Sequence, residues 1–311
     1  MKLATIDIGT NTALLLISSW QNEALVEHFN ASGFVRLGEG MDSSGKVSDA
    51  ALSRLQAVLF SHMQQIRAHQ VDHIIVTGTS ASRDAGDAHR IQTLVRNITG
   101  TDLTIISGDD EALVTFVGAA AGLREVDSDL ITVVDVGGGS SEMVQGRVVG
   151  GNSLLPFKHS LNMGSVRMTE RFFSRQPAVS SEIEAARDWL RTYFHQSCGQ
   201  AVATPRCVGA SGTARMLALI VHDVFELSEI DGVATMAAQE VINWSNQLLH
   251  MDYDEVLSLH PAKMQGRADV LPAGVLILSE IIQFVQAREL VVSPFGVRHG
   301  VAIRYFRESQ V

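Results

Sequence analysis

Short apolar runs of strand length alternate with longer segments of helical periodicity along most of this chain. Residues 3–6 and 130–134 are two such runs, and their β-branched residues are typical of buried strands. Over residues 48–66, leucine, methionine and isoleucine recur at helical spacing and predict a long helix. This alternation of strands and helices predicts an α/β fold.

The same pattern places further elements and a domain boundary. Strands are predicted at residues 12–17, 24–37, 73–80, 103–106, 206–209 and 290–293, and those after residue 130 continue to about residue 155. Two helices are predicted from their caps: one starts at Ser107, which forms a capping pair with Asp110, and one starts at Ser181, which forms a capping box with Glu184. Further helices are predicted to start at Ser211 and to span residues 162–173, 235–250, 270–278 and 296–307. Polar residues 122–129 break the periodicity, so we expect domains at 1–124 and 125–311. Whether the terminal helix packs back on the first domain stays open.

Each half of the chain opens with a strand that runs into Asp-x-Gly. The first turn contains Asp7, Gly9, Thr10 and Asn11, and the second contains Asp135, Gly137, Gly138, Gly139, Ser140, Ser141 and Glu142. Consecutive glycines remove every Cβ from a turn, so backbone N–H groups can surround a small anion such as phosphate. A glycine-rich hairpin with two surface acids is the alternative for the second turn taken alone. The repetition favours two similar domains that face each other with phosphates between them.

Acidic and basic residues in or near these turns indicate a bound metal and further phosphate contacts. Asp135 beside a phosphate would repel it unless a cation lies between them, which indicates a divalent metal, Mg²⁺. Arg83 follows a strand and could face a ligand crevice, and a surface salt bridge with Asp84 or Asp87 is an equal alternative. Residues 210–213 form another turn of small residues that enters a helix and could hold a phosphate.

Composition and charge exclude several classes of protein. The chain has 311 residues and a net charge of −10, which argues against a general nucleic-acid or membrane binder. No apolar run reaches the length of a membrane span, and the first strand reaches Asp7 so early that no signal peptide is expected. Cys198 and Cys207 have neither zinc spacing nor a disulfide framework, so we expect a cytoplasmic protein.

Together, eight motifs resemble those of the exopolyphosphatase / guanosine pentaphosphate phosphatase (Ppx/GppA) family, in the same order and over nearly the whole chain. They lie at residues 7–11, 36–40, 79–85, 107–112, 135–142, 209–213, 267–274 and 296–300. The resemblance implies two ribonuclease-H-like domains of the actin, hexokinase and heat-shock ATPase superfamily around a central cleft. It also implies a short, two-domain member, because the chain stops where long members carry C-terminal helical domains.

The resemblance also implies roles for individual residues. Glu111 matches the glutamate that activates the attacking water, Glu142 the second catalytic acid and Asp135 a magnesium-associated aspartate. The expected metal ligands are Asp7, Asp135 and Glu142. The expected phosphate-binding residues are Gly9, Thr10, Asn11, Arg83, Gly137, Gly138, Gly139, Ser140, Ser141, Gly212, Thr213 and Arg267. Three positions depart from the family pattern, with Leu113 for Arg, Asp110 for Glu and His299 for Glu.

The expected function is therefore a magnesium-dependent phosphohydrolase that releases orthophosphate from polyphosphate, guanosine pentaphosphate or both, with a preference for short chains. A phosphotransferase of the same superfamily and a non-catalytic sensor of alarmone nucleotides are the alternatives. Retention of Glu111 and Glu142 argues against the sensor, because a pure binder does not need acids beside phosphates. The choice of substrate stays open, as does a homodimer.

Overall fold

The computed structural model describes residues 1–123, 130–149, 152–199 and 201–309. These form two compact units, one of Met1–Gly118 with Phe295–Val311 and one of Ala119–Pro294. The predicted boundary between residues 124 and 125 lies outside the described residues. The terminal residues from Phe295, which the prediction placed in the second domain, belong to the first unit.

The first unit is built on a five-stranded mixed sheet. Its strands are β1 (Lys2–Ile8), β2 (Thr12–Gln21), β3 (Ala24–Phe34), β4 (His73–Gly78) and β5 (Leu103–Ile105). Its helices are α1 (Met41–Ser44), α2 (Asp49–Ala68), α3 (Ser80–Asp84), α4 (His89–Thr99), α5 (Gly108–Ala121, whose last turn falls in the second unit) and α13 (Val297–Glu308). The sheet order is β3-β2-β1-β4-β5, antiparallel from β3 to β1 and parallel from β1 to β5.

Helices cover both faces of this sheet. Neighbouring residues of a strand point to opposite faces, and Leu15 of β2 lies in the cluster that contains Leu55 and Leu59 of α2. The next residue, Leu16, packs instead with Ala302 and Phe306 of α13. The terminal helix therefore belongs to the first unit because it buries the sheet face that α2 leaves uncovered.

Helix α13 also approaches α5 very closely, at a glycine of the last motif. A Cβ added to Gly300 would lie 1.8 Å from the carbonyl oxygen of Val114. No side chain fits at this position without moving the backbone of α5, which explains the glycine at the end of the motif.

The second unit repeats the same topology with added elements. Its strands are β6 (Ile131–Val136), β7 (Ser141–Val149), β8 (Asn152–Leu161), β9 (Arg206–Gly209), β10 (Thr235–Ala237) and β11 (Glu289–Val292). Its helices are α6 (Ser165–Phe172), α7 (Ser180–Cys198), α8 (Gly212–His222), α9 (Ala238–Leu249), α10 (Tyr253–Ser258), α11 (Pro261–Met264) and α12 (Leu271–Phe284). The sheet order is β10-β11-β9-β6-β7-β8. Strands β6, β7, β8, β9 and β11 thus correspond to β1 to β5, which confirms the predicted duplication of an α/β fold.

Most predicted elements are confirmed, and three of the differences follow from capping or strand pairing. Helix α7 begins at Ser180, and Glu182 rather than Glu184 accepts the hydrogen bond of the capping residue, from the N–H group of Val179 at 3.4 Å. Residues 235–237 form a strand instead of a helical turn because they pair with β11. Strand β8 continues to Leu161 because it pairs with β7 over that length. Helices α1, α4, α10 and α11 were not predicted.

Across the described ranges, no helix combines the length and the apolar character that crossing a bilayer requires.

Candidate active site

The β1–β2 turn is the centre of the first group of predicted site residues, here called the first cluster (Asp7, Gly9, Thr10, Asn11, Arg83 and Glu111). Strand β1 ends beside Asp7, which is buried. The N–H group of Gly9 then donates to the carbonyl oxygen of Thr12 at 2.9 Å and closes a tight turn. The N–H group of Thr79 donates to the carbonyl oxygen of Ile8 at 3.2 Å, which brings the end of β4 to the same edge of the sheet.

The carbonyl groups of this turn are bound from one side. Gly38 donates its N–H to Thr10 O at 3.0 Å, and Val35 and Arg36 donate theirs to Asn11 O at 2.9 and 3.0 Å. In a planar trans peptide, the C=O of one residue and the N–H of the next point in opposite directions. The N–H groups that follow these carbonyls therefore point away from residues 35–38, as an anion-binding turn requires.

Arg83 and Glu111 form a direct ion pair in the first cluster. Arg83 Nη1 donates to Glu111 Oε2 at 2.6 Å and to the carbonyl oxygen of Ile106 at 3.1 Å. Glu111 is only 6% exposed and lies in the first turn of α5. Asp87, one of the alternative partners of Arg83, binds the N–H of Val47 and the side chain of Arg90 instead.

The β6–β7 turn is the centre of the second cluster (Asp135, Gly137–Glu142, Gly212, Thr213 and Arg267). The N–H of Gly137 donates to Ser140 O at 3.0 Å, the same bond that closes the first turn. The N–H of Ala210 donates to Val134 O at 2.9 Å and brings the start of α8 to this edge. The two clusters are therefore built on equivalent turns of the two units.

The start of α6 binds the carbonyl groups of the glycine turn. Ser165 N donates to Gly137 O at 2.8 Å, and Val166 and Arg167 donate their N–H groups to Gly138 O at 2.9 and 3.2 Å. The side chain of Arg167 completes the set through Nε, 3.1 Å from Gly139 O. By the same peptide geometry, the N–H groups of residues 138, 139 and 140 all point away from α6.

This contact leaves no room for a side chain at residue 164. A Cβ on Gly164 would lie 2.3 Å from the carbonyl carbon of Gly138 and 2.5 Å from the nitrogen of Gly139. Both neighbours are backbone atoms of the turn, so they could not give way without changing its shape.

Asp135 and Glu142 lie directly opposite each other on β6 and β7. Directly opposed residues of an antiparallel pair share one face of the sheet, and like charges there are destabilising. Glu142 is 1% exposed and accepts a hydrogen bond from Ser160 Oγ at 2.8 Å. Asp135 is half-buried, and burial raises the pKa of its carboxyl to about 6, against a smaller opposing effect of the Arg215 guanidinium.

Two hydroxyl groups of the second cluster donate to backbone carbonyls. Ser141 Oγ donates to Met163 O at 2.7 Å, and Thr213 Oγ1 donates to Val136 O at 3.0 Å. Each hydroxyl has a single hydrogen, so these groups hold the turn and α8 in place and have no second proton to donate to a phosphate. Ser140, at the last position of the turn, is buried as well.

Two arginines lie at the start of α8. Arg267 Nη1 is 3.4 Å from the carbonyl oxygen of Gly212. Burial lowers the pKa of Arg267, and the positive charge of Arg215 lowers it further. Arg215 also donates through Nη2 to Pro294 O. A bound anion would relieve the repulsion between these two guanidinium groups.

Carboxylates are the groups of these clusters that could hold a divalent cation. Among the residues that the structure describes, no three histidine, cysteine or acidic side chains are grouped closely enough to hold a metal by themselves. Mg²⁺ is commonly held by one or two carboxylates together with water and substrate phosphates. The opposed pair of Asp135 and Glu142 fits that mode, because a cation would offset both the like charges and the burial.

An α/β chain with two equivalent tight turns and acids beside them has the architecture expected of a phosphate-handling enzyme. The family model described as the Ppx/GppA phosphatase family matches residues 18–308, and the chain belongs to this family. It is similar to Exopolyphosphatase 2 of Mycobacterium tuberculosis, with 26% identity over 97% of this chain and 98% of that protein. It is also similar to the guanosine-5'-triphosphate,3'-diphosphate pyrophosphatase of Vibrio vulnificus, with 26% identity over 98% of this chain and 59% of that protein.

Solved structures share the fold over the full length of the chain. A crystal structure of an exopolyphosphatase-like protein superposes with a TM-score of 0.91 at 25% identity, covering 100% of this chain and 99% of that one. An exopolyphosphatase from Cytophaga hutchinsonii superposes with a TM-score of 0.85 at 23% identity and the same coverage. Family and fold are thus those that the motifs indicated, an α/β fold with two mixed sheets of corresponding strand order.

Sequence reasoning missed several residues that shape the two clusters. Gly164 and Arg167 were not predicted, although a glycine before a helix start is a recognisable N-cap signal. Arg215 was missed although it lies one turn into the helix that follows residues 210–213. Arg54, on α2, gives no local signal because its partners are distant in sequence.

Proposed function

We propose that this chain hydrolyses terminal phosphoanhydride bonds of linear polyphosphate or guanosine pentaphosphate. A water oxygen forms a bond to the terminal phosphorus, and the bond from that phosphorus to the bridging oxygen breaks. The bridging oxygen keeps the bonding electrons and stays on the shortened substrate, while the terminal group leaves as orthophosphate. The family membership and the names of the two relatives support this reaction class.

The observation that carries the proposal is the peptide geometry of the second turn. The N–H groups of residues 138–140 follow carbonyls that α6 and Arg167 bind, so they are directed together to the opposite side. Three preorganised N–H donors stabilise phosphate oxygens without reorganisation during the reaction. A purely structural hairpin does not require its carbonyls to be fixed in this way.

Glu111 is proposed as the general base that accepts a proton from the attacking water. A positioned base requires a fixed carboxylate, and the ion pair with Arg83 together with the first turn of α5 fixes this one. Glu142 is proposed as the second acid, and its bond from Ser160 Oγ orients it in a similar way. Gly212, Arg215 and Arg267 are proposed to contribute donors and positive charge for further phosphates.

Mg²⁺ is proposed as the cofactor, held in the second unit by Asp135 and Glu142, which lie opposite each other on β6 and β7. When bound, the cation neutralises charge on the phosphate oxygens. The residues of the chain bind and orient the substrate and move the proton.

The decisive experiment compares substrates side by side. Orthophosphate release from short polyphosphate, long polyphosphate and guanosine pentaphosphate is followed with Mg²⁺ and with excess chelator, without any acceptor molecule. Release from at least one substrate, abolished by chelator, is expected. A requirement for an acceptor would indicate a phosphotransferase, and binding without release would indicate a sensor.

The proposal also includes a cytoplasmic enzyme that can act as a homodimer. Fractionation of the native cells and sedimentation of the purified chain test these two points. A membrane-bound or extracellular protein, or a monomer at all concentrations, would contradict them respectively.

A further inference from the structure

The side chain of Arg54, on α2, contacts three acceptor groups of one loop. Its Nε atom donates to the carbonyl oxygen of Val35 at 3.0 Å, and Nη2 lies 3.4 Å from the carbonyl oxygen of Arg36. The same Nη2 atom donates to Oε2 of Glu39 at 2.7 Å. The next residue of α2, Leu55, is fully buried in the core, so Arg54 acts from a fixed element on the loop of residues 35–39, here called the anchor loop.

The backbone of the anchor loop is strained at Arg36. Its φ angle is +48°, in the left-handed region that residues other than glycine rarely adopt. The other described non-glycine residues with positive φ lie in the β2–β3 hairpin or at helix C-termini, where this conformation is common. Strain outside such places persists only when the surroundings enforce it, and two of the three acceptors of Arg54 are the carbonyls on either side of this φ.

The anchor loop is the part of the chain that orients the first turn. The N–H groups of Val35, Arg36 and Gly38 bind the carbonyls of Asn11 and Thr10. The chain of contacts therefore runs from Arg54 to the anchor loop and from the loop to the peptide groups of the turn.

In the second unit, a helix supports the equivalent turn. There the equivalent segment, after β8, is the start of α6, and Arg167 binds a turn carbonyl directly. In the first unit an irregular loop follows β3, and a loop without its own hydrogen-bonded helix needs an external support. Arg54 supplies that support.

We propose that Arg54 is a positioning residue for phosphate binding by the first cluster, an inference that rests on the proposed function. In this role it acts on the loop and not on the phosphate or the attacking water. It holds the anchor loop, and through the loop it keeps the N–H groups of Asn11 and Thr12 directed away from residues 35–38. The ion pair of Arg54 with Glu39 contributes little to holding the loop, because the Glu39 side chain is 48% exposed and exposed ion pairs are weak.

Four variants separate this role from general stability. Arg54→Gln removes the charge and the fork of donors, and Arg54→Lys keeps the charge but not the fork. Glu39→Gln removes only the ion pair. Arg90→Gln is the matched control, because Arg90 also binds a backbone carbonyl (Val47) and two carboxylates in the same unit but does not contact the anchor loop.

Two readouts are used with each variant, the kinetics of tripolyphosphate hydrolysis and amide hydrogen exchange of the ligand-free protein. For Arg54→Gln and Arg54→Lys we expect KM to rise about tenfold with kcat changed less than about threefold. We also expect faster exchange at the amides of Arg36 and Gly38. For Glu39→Gln and Arg90→Gln we expect KM and these exchange rates to stay close to those of the parent.

The inference is overturned if Arg54→Gln leaves KM and the exchange at Arg36 and Gly38 unchanged, or if Arg90→Gln changes them equally. Failure of the proposed function gives a different result, because the parent itself then releases no orthophosphate. In that case thermal stabilisation by tripolyphosphate replaces KM as the binding readout. Equal stabilisation of parent and Arg54→Gln would then contradict the positioning role.

Discussion

Arg83 Nη1 donates to Glu111 Oε2 at 2.6 Å, and the same nitrogen also donates to the carbonyl oxygen of Ile106. This relationship joins α3 to the first turn of α5, across 28 residues of sequence. Asp110, one residue earlier, is bonded to Ser107 in the helix cap instead. The ion pair with Arg83 holds the carboxylate of Glu111 in a fixed direction inside the first cluster.

We predict that Glu111→Gln lowers kcat about 10²–10⁴-fold and changes KM less than about threefold, because a positioned base contributes to the chemical step and not to binding. Steady-state phosphate release measures both constants. Asp110→Asn is the matched control and should keep kcat within about twofold. Full activity of Glu111→Gln would remove this residue from the mechanism.

We predict that Asp135→Asn is more stable than the parent at pH 7.5 in the absence of metal. Burial raises the pKa of Asp135 from 3.8 to about 6, so above pH 6 the folded protein carries a carboxylate that the unfolded chain ionises more easily. The resulting penalty, about 1–3 kcal/mol, is present above pH 6, shrinks as the pH falls and is absent below about pH 4. The advantage of the variant should therefore disappear in the acid range.

Thermal unfolding between pH 4 and pH 8 measures this difference. Mg²⁺ should raise the unfolding midpoint of the parent and have less effect on Asp135→Asn, which should also lose activity. A variant that Mg²⁺ stabilises as much as the parent would argue against Asp135 as a metal ligand. A variant less stable than the parent at every pH would argue against the pKa shift.

We predict that Gly164→Ala abolishes tripolyphosphate binding or raises KM more than tenfold while the chain still folds. The new Cβ would overlap backbone atoms of Gly138 and Gly139, so the glycine turn must change shape. Normal kinetics of Gly164→Ala would show that the turn tolerates displacement.

His299 and Glu27 provide a prediction about the last motif. His299 is fully buried, its Nδ1 accepts the N–H of Gly296 at 3.1 Å, and its Nε2 lies 3.6 Å from Glu27 Oε1. The hydrogen bond with His299 is the main cause that lowers the pKa of Glu27. The histidine, at a position where the motif resemblance predicted glutamate, thus caps α13 and also faces a carboxylate on β3.

Restoring the glutamate should therefore be destabilising in this chain. We expect His299→Glu to lower stability by about 2–4 kcal/mol, because two carboxylates then meet at a buried position. The double variant with Glu27→Gln should recover most of the loss, since an amide can donate to the new carboxylate. Thermal unfolding of the four proteins of this cycle measures the coupling. A stable single variant would show that Glu27 and residue 299 are independent.

Local patterns were sufficient for the elements with strong periodicity and for the motifs. The apolar run before Asp135 predicts a buried strand, and the spacing of Leu55, Leu59 and Met63 predicts an amphipathic helix. Both patterns are local, because the residues that are buried together lie close to one another in the sequence. Local patterns were insufficient at Val179 and at residues 235–237. There the cap and the strand depend on Glu182 and on pairing with β11, which a local window does not contain.

The family, the duplicated Asp-x-Gly turns and the acids beside them can be recognised from short stretches of sequence, because these features lie within a few residues of one another. The groups that hold the turns are visible only in the tertiary structure. Residues 35–38 bind the first turn, the start of α6 binds the second, and Arg54 supports the first from another helix. The tertiary structure also shows that Arg83 pairs with Glu111 and not with Asp84 or Asp87, and that Asp135 stands opposite Glu142. These relationships depend on strand register and helix packing, which bring distant residues together and which no short stretch of sequence encodes.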